Sequence, residues 1–257
     1  MTEMDNKTVY STVEFETWAH RERLNVPEQY LIEHYLDSRG KTMEAGTAGG
    51  KILLALKARG FSRLYGFDFV PNFIEEAKRK DATGSICFEV QDAVSLNYAD
   101  SSFDQVIYLG RIISFIEDES SRFKALEEAI RVLKPGGIAL FSFLCFDARS
   151  KSIAYIPYVA YLRLLRMVRG SPTPIQYLPW LKHGGVFNKA SLLDSKPHNY
   201  WFKLDEIYKL LLEAGFQTIA LGSSYQVERG EMATSYEALV KEPIKGMLYF
   251  VCKRRVV

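Results

Sequence analysis

KTMEAGTAGGKILLALKARGFSRLYGFDF, residues 41–69, is the stretch on which the fold turns. KTMEA reads as a short strand leaving the Ser38-Arg39-Gly40 turn. The small residues Gly46 to Gly50 bend the chain, and KILLALKARG then carries a helix whose Gly60 suits a C-cap. RLYGFDF reads as a second strand. A strand, a tight turn, a helix and a strand within 29 residues open an α/β sheet.

The same alternation extends outward. PNFIEEAKRK (71–80) is a helix started by Pro71, ICFEVQDA (86–93) a third strand, and FDQVIYLG (103–110) a fourth. ESSRFKALEEAIRVL (119–133) has apolar residues near helical spacing, and KPGG is predicted to stop it. GIALFSFLCF (137–146) is a long apolar run suited to a central strand covered on both faces. Upstream, Pro27 can open a helix through VPEQYLIEHYL. Alternation stops near Asp147, and residues 148–200 read as an irregular insert rich in proline and aromatics. LDEIYKLLLEAGF is a helix, and FQTIALGSS and GMLYFVCKR are strands; an antiparallel return at the sheet edge is open to the last, whose orientation the pattern does not fix. The prediction is one α/β domain with an open, doubly wound, mostly parallel sheet. An N-terminal helical cap (1–38), a core (39–147), the insert (148–200) and a C-terminal helix with strands (201–257) make it up.

Composition narrows the function classes. The chain has 257 residues, 47% hydrophobic, with a net charge of +2, which argues against a nucleic-acid partner. Lys253-Arg254-Arg255 reads as a solvated tail. Cys87, Cys145 and Cys252 are far apart and form no CxxC, so neither a disulfide framework nor a metal site is expected. No signal-like or membrane-spanning stretch is evident, and the expected location is the cytoplasm. The sequence leaves the oligomeric state open.

Four pieces carry chemistry through their order. After strand one comes Glu44-Ala45-Gly46-Thr47-Ala48-Gly49-Gly50, where small residues let backbone approach a ligand and the next helix offers free N–H groups. Asp68 follows Gly46 by 22 residues, at the end of strand two, where a carboxylate can accept two ribose hydroxyls. Its neighbour Phe69 offers an apolar face for adenine. Gln91-Asp92-Ala93 offers a carboxylate and a backbone N–H to an adenine edge, and Leu109-Gly110-Arg111 offers carbonyls to an ammonium group.

Together these pieces resemble the class I S-adenosylmethionine-dependent methyltransferases, particularly the small-molecule group of the UbiE-like, or type 11, kind. The resemblance covers residues 27–147 well and the C-terminal elements loosely. Glu44, Gly46 and Gly50 match the family's first loop, while Ala48 replaces its middle glycine. ALEEAIRVLKPGGIALFS resembles the approach to its fifth strand most closely. The resemblance implies a Rossmann-like sheet of the seven-strand methyltransferase type. It also implies S-adenosylmethionine as cofactor, S-adenosylhomocysteine as product and a cofactor site drawn from Glu44, Gly46, Thr47, Ala48, Gly50, Asp68, Phe69, Asp92, Ala93, Leu109 and Gly110. A nicotinamide-dependent oxidoreductase is the rival enzyme, but GTAGG is not GxGxxG and that reading leaves Asp92 unexplained. A non-catalytic cofactor-binding or partner-binding module is the third reading.

The sulfonium methyl is already activated, so aligning the acceptor is the expected main contribution. His198 and Tyr200, in HNYWFKLDEIYKLLLEAGF, are the candidates for a base or positioning group, and no metal ligand set stands out. EFETWAHRER is expected to cover one side of the cofactor, and the insert to act as a lid over a small, apolar or aromatic acceptor. The insert's helix candidate, IAYIPYVAYLRLLRMVRG, also leaves open a dimer contact or peripheral contact with a membrane surface.

Overall fold

The computed structural model describes residues 5–255. Its strands are β1 (Thr42–Ala45), β2 (Leu64–Asp68), β3 (Cys87–Val90), β4 (Phe103–Tyr108), β5 (Leu133–Phe143), β6 (Tyr177–Pro179), β7 (Lys182–His183), β8 (Val186–Phe187), β9 (His198–Tyr200), β10 (Phe216–Ser223) and β11 (Leu248–Arg254). Its helices are α1 (Asn6–Ser11), α2 (Phe15–Ala19), α3 (Val26–Tyr35), α4 (Lys51–Ala58), α5 (Pro71–Lys80), α6 (Glu119–Val132), α7 (Phe146–Lys151), α8 (Ile156–Arg169), α9 (Leu204–Glu213), α10 (Ser224–Val227) and α11 (Tyr236–Leu239). Seven strands form one sheet in the order β10-β11-β5-β4-β1-β2-β3. β1 to β5 run parallel, and β11 is antiparallel to both neighbours.

Period-two alternation buries both faces of this sheet. Val106, Tyr108 and Phe141 pack with Leu126 of α6 and Leu211 of α9. Ile107, Leu109 and Leu140 face the other way, toward Leu31, Leu53 and Ile74 of α3, α4 and α5. α3 starts in a capping box: Asn25 Oδ1 accepts from the Glu28 N–H at 2.8 Å and Glu28 Oε2 from the Asn25 N–H at 2.9 Å.

The fold departs from the sequence expectations in four places. β11 is not at the edge; it lies between β5 and β10, and its Leu248–Cys252 stretch is buried on both faces. KPGG does not precede the fifth strand but loops out of it, since pairing jumps from Phe103↔Leu133 to Gln105↔Ile138. Arg254 belongs to β11 rather than to a solvated tail, and its guanidinium donates to the Ile130 carbonyl at 2.9 Å near the end of α6. The insert is built around secondary structure: α7 and α8, a β6–β9 ribbon and a β7–β8 hairpin. Its anchor is Arg166, which is buried, pairs with both oxygens of Asp194 at 2.6 Å and donates to the Pro174 carbonyl at 2.7 Å.

Candidate cofactor site

The carboxyl ends of β1, β2 and β4 and the turn after β3 open into one cavity of about 300 Å³. Ligands of open α/β sheets bind at this end, where the strand order reverses between β1 and β4. Gly46, Ala48, Asp68, Phe69, Asp92, Ala93 and Gly110 all line it. Glu44, Thr47 and Leu109 line a narrower recess that shares Gly46, Ala48 and Gly110 with the main cavity. Gly50 stands behind the loop, facing Phe88 and Ala77.

The first loop is built for close approach. Gly46 has φ +62°, and a Cβ there would lie 2.2 Å from Ile112 Cδ1. Ala48 has φ +45°, a left-handed conformation that costs an L-residue free energy. Its N–H nevertheless donates to Asp68 Oδ2 at 3.0 Å, while the Val70 N–H donates to Oδ1 at 3.0 Å. Each Asp68 oxygen is thus held by one N–H and keeps a second lone pair for a hydroxyl. Burial pushes the Asp68 carboxyl up to about 6, against the lowering effect of those N–H donors.

Glu44 is buried beneath the loop. Thr47 Oγ1 donates to its Oε2 at 2.8 Å, yet burial pushes the carboxyl up to about 8. Beside it Lys51 Nζ donates to Glu28 Oε1 at 2.7 Å, so a buried ion pair borders the recess. Asp92 is exposed, and its Oδ1 accepts from the Val94 N–H at 3.1 Å, shaping the turn that presents the Ala93 backbone.

The cap supplies the opposite wall. Asn6, Lys7, Tyr10 and Trp18 line the cavity, as do Ile112 and Phe115 from the segment after β4. Trp18 lies in the segment expected to cover the cofactor; Asn6 and Tyr10 were not anticipated. Tyr10 is buried, with ring centroids 5.4 Å from Phe115, 5.5 Å from Trp180 and 6.5 Å from Phe69. Burial raises its phenol well above the usual tyrosine range. Among the described residues its hydroxyl has no hydrogen-bond partner, although it borders a polar carboxylate-bearing cavity. The segment DNKTVYS carries a single aromatic, Tyr10, among mostly polar residues, and its pattern gave no signal of this role.

His198 and Tyr200 do not border the cavity. His198 Nε2 meets Asp194 Oδ1 at 3.1 Å within the Arg166 knot, and burial lowers its imidazolium below the usual histidine range. The Tyr200 hydroxyl donates to Glu206, and the Arg122 guanidinium lies 3.9 Å from its ring centroid. The Tyr200 side chain docks the insert onto the core, while His198 braces the insert internally. The insert supports the cavity from behind instead, through Trp180, stacked on Phe115 at 5.4 Å. Among the described residues no group of three His, Cys, Asp or Glu side chains is placed to hold a metal.

These features fit an adenosyl ligand: a buried acid with spare lone pairs at the end of β2, a glycine cradle, and apolar Phe69 and Phe73 between them. Comparisons with known proteins point the same way. A family described as "methyltransferase domain" matches residues 43–141. The ubiquinone/menaquinone biosynthesis C-methyltransferase UbiE of Desulfotalea psychrophila is 36% identical over 126 residues, covering 48% of this chain and 47% of that protein. Phosphoethanolamine N-methyltransferase 1 of Arabidopsis thaliana is 33% identical over 141 residues, covering 53% of this chain and 27% of that protein. The matches therefore span less than half the length of these two relatives. Among solved structures, an S-adenosylmethionine-dependent methyltransferase from Methanosarcina mazei superposes with a TM-score of 0.64 at 19% identity, covering 88% of this chain and 98% of that one. Another, from Mesorhizobium loti, gives 0.57 at 14% identity, covering 89% and 98% respectively. Over residues 43–141, then, this chain is similar to a methyltransferase-domain family, and its fold is that of solved S-adenosylmethionine-dependent methyltransferases.

Proposed function

We propose that this protein transfers the methyl group of S-adenosylmethionine to a small, apolar or aromatic acceptor. The observation that carries the reading is the convergence of Gly46, Asp68, Asp92 and Ala93 on one cavity. When bound, the cofactor supplies a methyl carbon already activated by its sulfonium. Asp68 holds the ribose hydroxyls, Phe69 and the Ala93 backbone receive the adenine, and the recess beside Glu44 and Leu109 takes the amino-acid end. Tyr10, Trp18 and Phe115 exclude water, which strengthens the polar contacts inside. The Tyr10 hydroxyl is the polar group on the aromatic wall and orients the acceptor. Aromatic lining favours a flat or apolar acceptor, and the relative from Desulfotalea psychrophila is named as a C-methyltransferase of ubiquinone and menaquinone biosynthesis.

Calorimetry with S-adenosylhomocysteine and with NAD tests the cofactor half, and transfer of a labelled methyl group to a panel of phenols, quinones and amines tests the acceptor half. Binding of S-adenosylhomocysteine but not NAD, with label entering an aromatic acceptor, is the expected result. Tight NAD binding alone overturns the reading, and label entering only polar amines overturns the acceptor class.

A further inference from the structure

The outward side of α8 carries large aliphatic side chains in addition to those it buries, unlike an ordinary surface helix. Its buried residues are Val159, Leu162 and the ion-paired Arg166. Leu164, Met167 and Val168 are 55%, 71% and 75% exposed, and Ile153, just before the helix, is 88% exposed. The adjoining 3₁₀ turn, Lys189–Leu193, extends the patch with Leu192 and Leu193, 44% and 61% exposed. The turn is fastened to the helix: Tyr161 Oη donates to the Leu192 carbonyl at 2.6 Å and Arg169 Nη1 to the Leu193 carbonyl at 2.8 Å. With Arg166 locked inward by Asp194, the helix cannot roll its apolar side into the core without breaking a buried ion pair.

Charge around this patch is segregated. Residues 148–193 hold seven of the 33 Lys and Arg residues and none of the 31 Asp and Glu residues, in a chain whose net charge is only +2. Lys151, Arg163, Arg169, Lys182 and Lys189 are exposed, and among the described residues none of them makes an ion pair. Exposed aliphatic side chains ringed by unpaired cations match the interface of an anionic bilayer, where the apolar residues reach the acyl boundary and the cations meet phosphate. A second copy fits less well, because it would bring the same uncompensated cations against themselves.

We propose that the α8 face, with the Leu192–Leu193 turn, docks this protein peripherally on an anionic lipid surface. The contact belongs to the insert alone and stands independently of the acceptor.

Flotation of the full chain with vesicles of equal parts phosphatidylglycerol and phosphatidylcholine, against phosphatidylcholine alone, tests this. The chain is expected to float with the anionic vesicles and to be released by high salt. Leu164→Asp with Met167→Asp should weaken vesicle binding about tenfold or more, since it puts charge where apolar side chains insert. Thermal midpoint and S-adenosylhomocysteine affinity should stay unchanged, because both side chains are already exposed. If the double variant unfolds, Arg163→Glu replaces it and should weaken anionic-vesicle binding at low salt. No flotation of the wild type, or flotation unaffected by either variant, overturns the proposal. So does self-association in sedimentation that Leu164→Asp abolishes while vesicles are ignored.

Discussion

The Ala48 N–H donates to Asp68 Oδ2 at 3.0 Å, so the loop after β1 and the acid at the end of β2 form one hydrogen-bonded unit. Asp68→Ala should therefore weaken S-adenosylhomocysteine binding by about tenfold or more, a hydrogen bond to a charged group contributing roughly 1.5–3 kcal/mol. Titration calorimetry reads this directly. Wild-type affinity in the variant would remove Asp68 from the ribose role.

That binding should also depend on pH. The free carboxyl is pushed up to about 6, and ribose hydroxyls donate to its charged form, so binding releases a proton. Affinity is expected to be flat above that value and to fall by about tenfold for each pH unit below it. An affinity constant from pH 5 to pH 8 would show that the carboxylate does not take part.

Glu44 gives a stability counterpart. Its carboxyl titrates near 8 in the folded chain and near 4.5 when unperturbed, so the folded state holds the extra proton between those limits. The contribution of Glu44 to stability is therefore greatest at acid pH and declines as pH rises from about 4.5 to about 8. Glu44→Gln should raise the melting temperature at pH 8 while changing it little at pH 5. Melting curves whose difference from wild type is the same at both pH values would contradict this.

Ala48 occupies the left-handed region at φ +45°. Ala48→Gly should stabilise the protein by roughly 1 kcal/mol, because relief of that strain outweighs the extra freedom glycine gives the unfolded chain. Cofactor affinity should not fall. Denaturant unfolding provides the check, and a destabilised variant would mean that the Ala48 methyl matters more as packing than as strain.

Asn6 clasps three segments. Its Nδ2 donates to the Phe115 carbonyl at 2.7 Å, and its Oδ1 accepts from the Trp180 indole N–H at 3.0 Å. Asn6→Ala removes these bonds and a longer one from Nδ2 to the His198 carbonyl at 3.5 Å, and should speed S-adenosylhomocysteine dissociation by roughly tenfold, a typical hydrogen bond contributing about 1 kcal/mol. Stopped-flow tryptophan fluorescence follows this, since Trp18 lines the cavity. Unchanged dissociation would separate the cap from cofactor release.

The strand–turn–helix alternation through residues 41–146, with Asp68 ending β2 and Asp92 just beyond β3, was legible in the amino-acid order alone. These follow from local rules: side-chain period, glycine at bends, and proline at helix starts. Contacts distant in sequence were not legible in the same way. Whether β11 sits at the edge depends on which strand pairs with β5, and Cys252 and Phe250 are apolar in either arrangement. Likewise His198 looked available for chemistry until the fold joined it to Asp194 and, through that carboxylate, to Arg166. Tyr10 became a wall of the cavity only when the cap closed on Phe115 and Trp180, 105 and 170 residues further along the chain. Periodicity constrains neighbours within a turn or a strand, whereas such pairings are selected by packing of the whole sheet and its cover, over separations that no local pattern encodes.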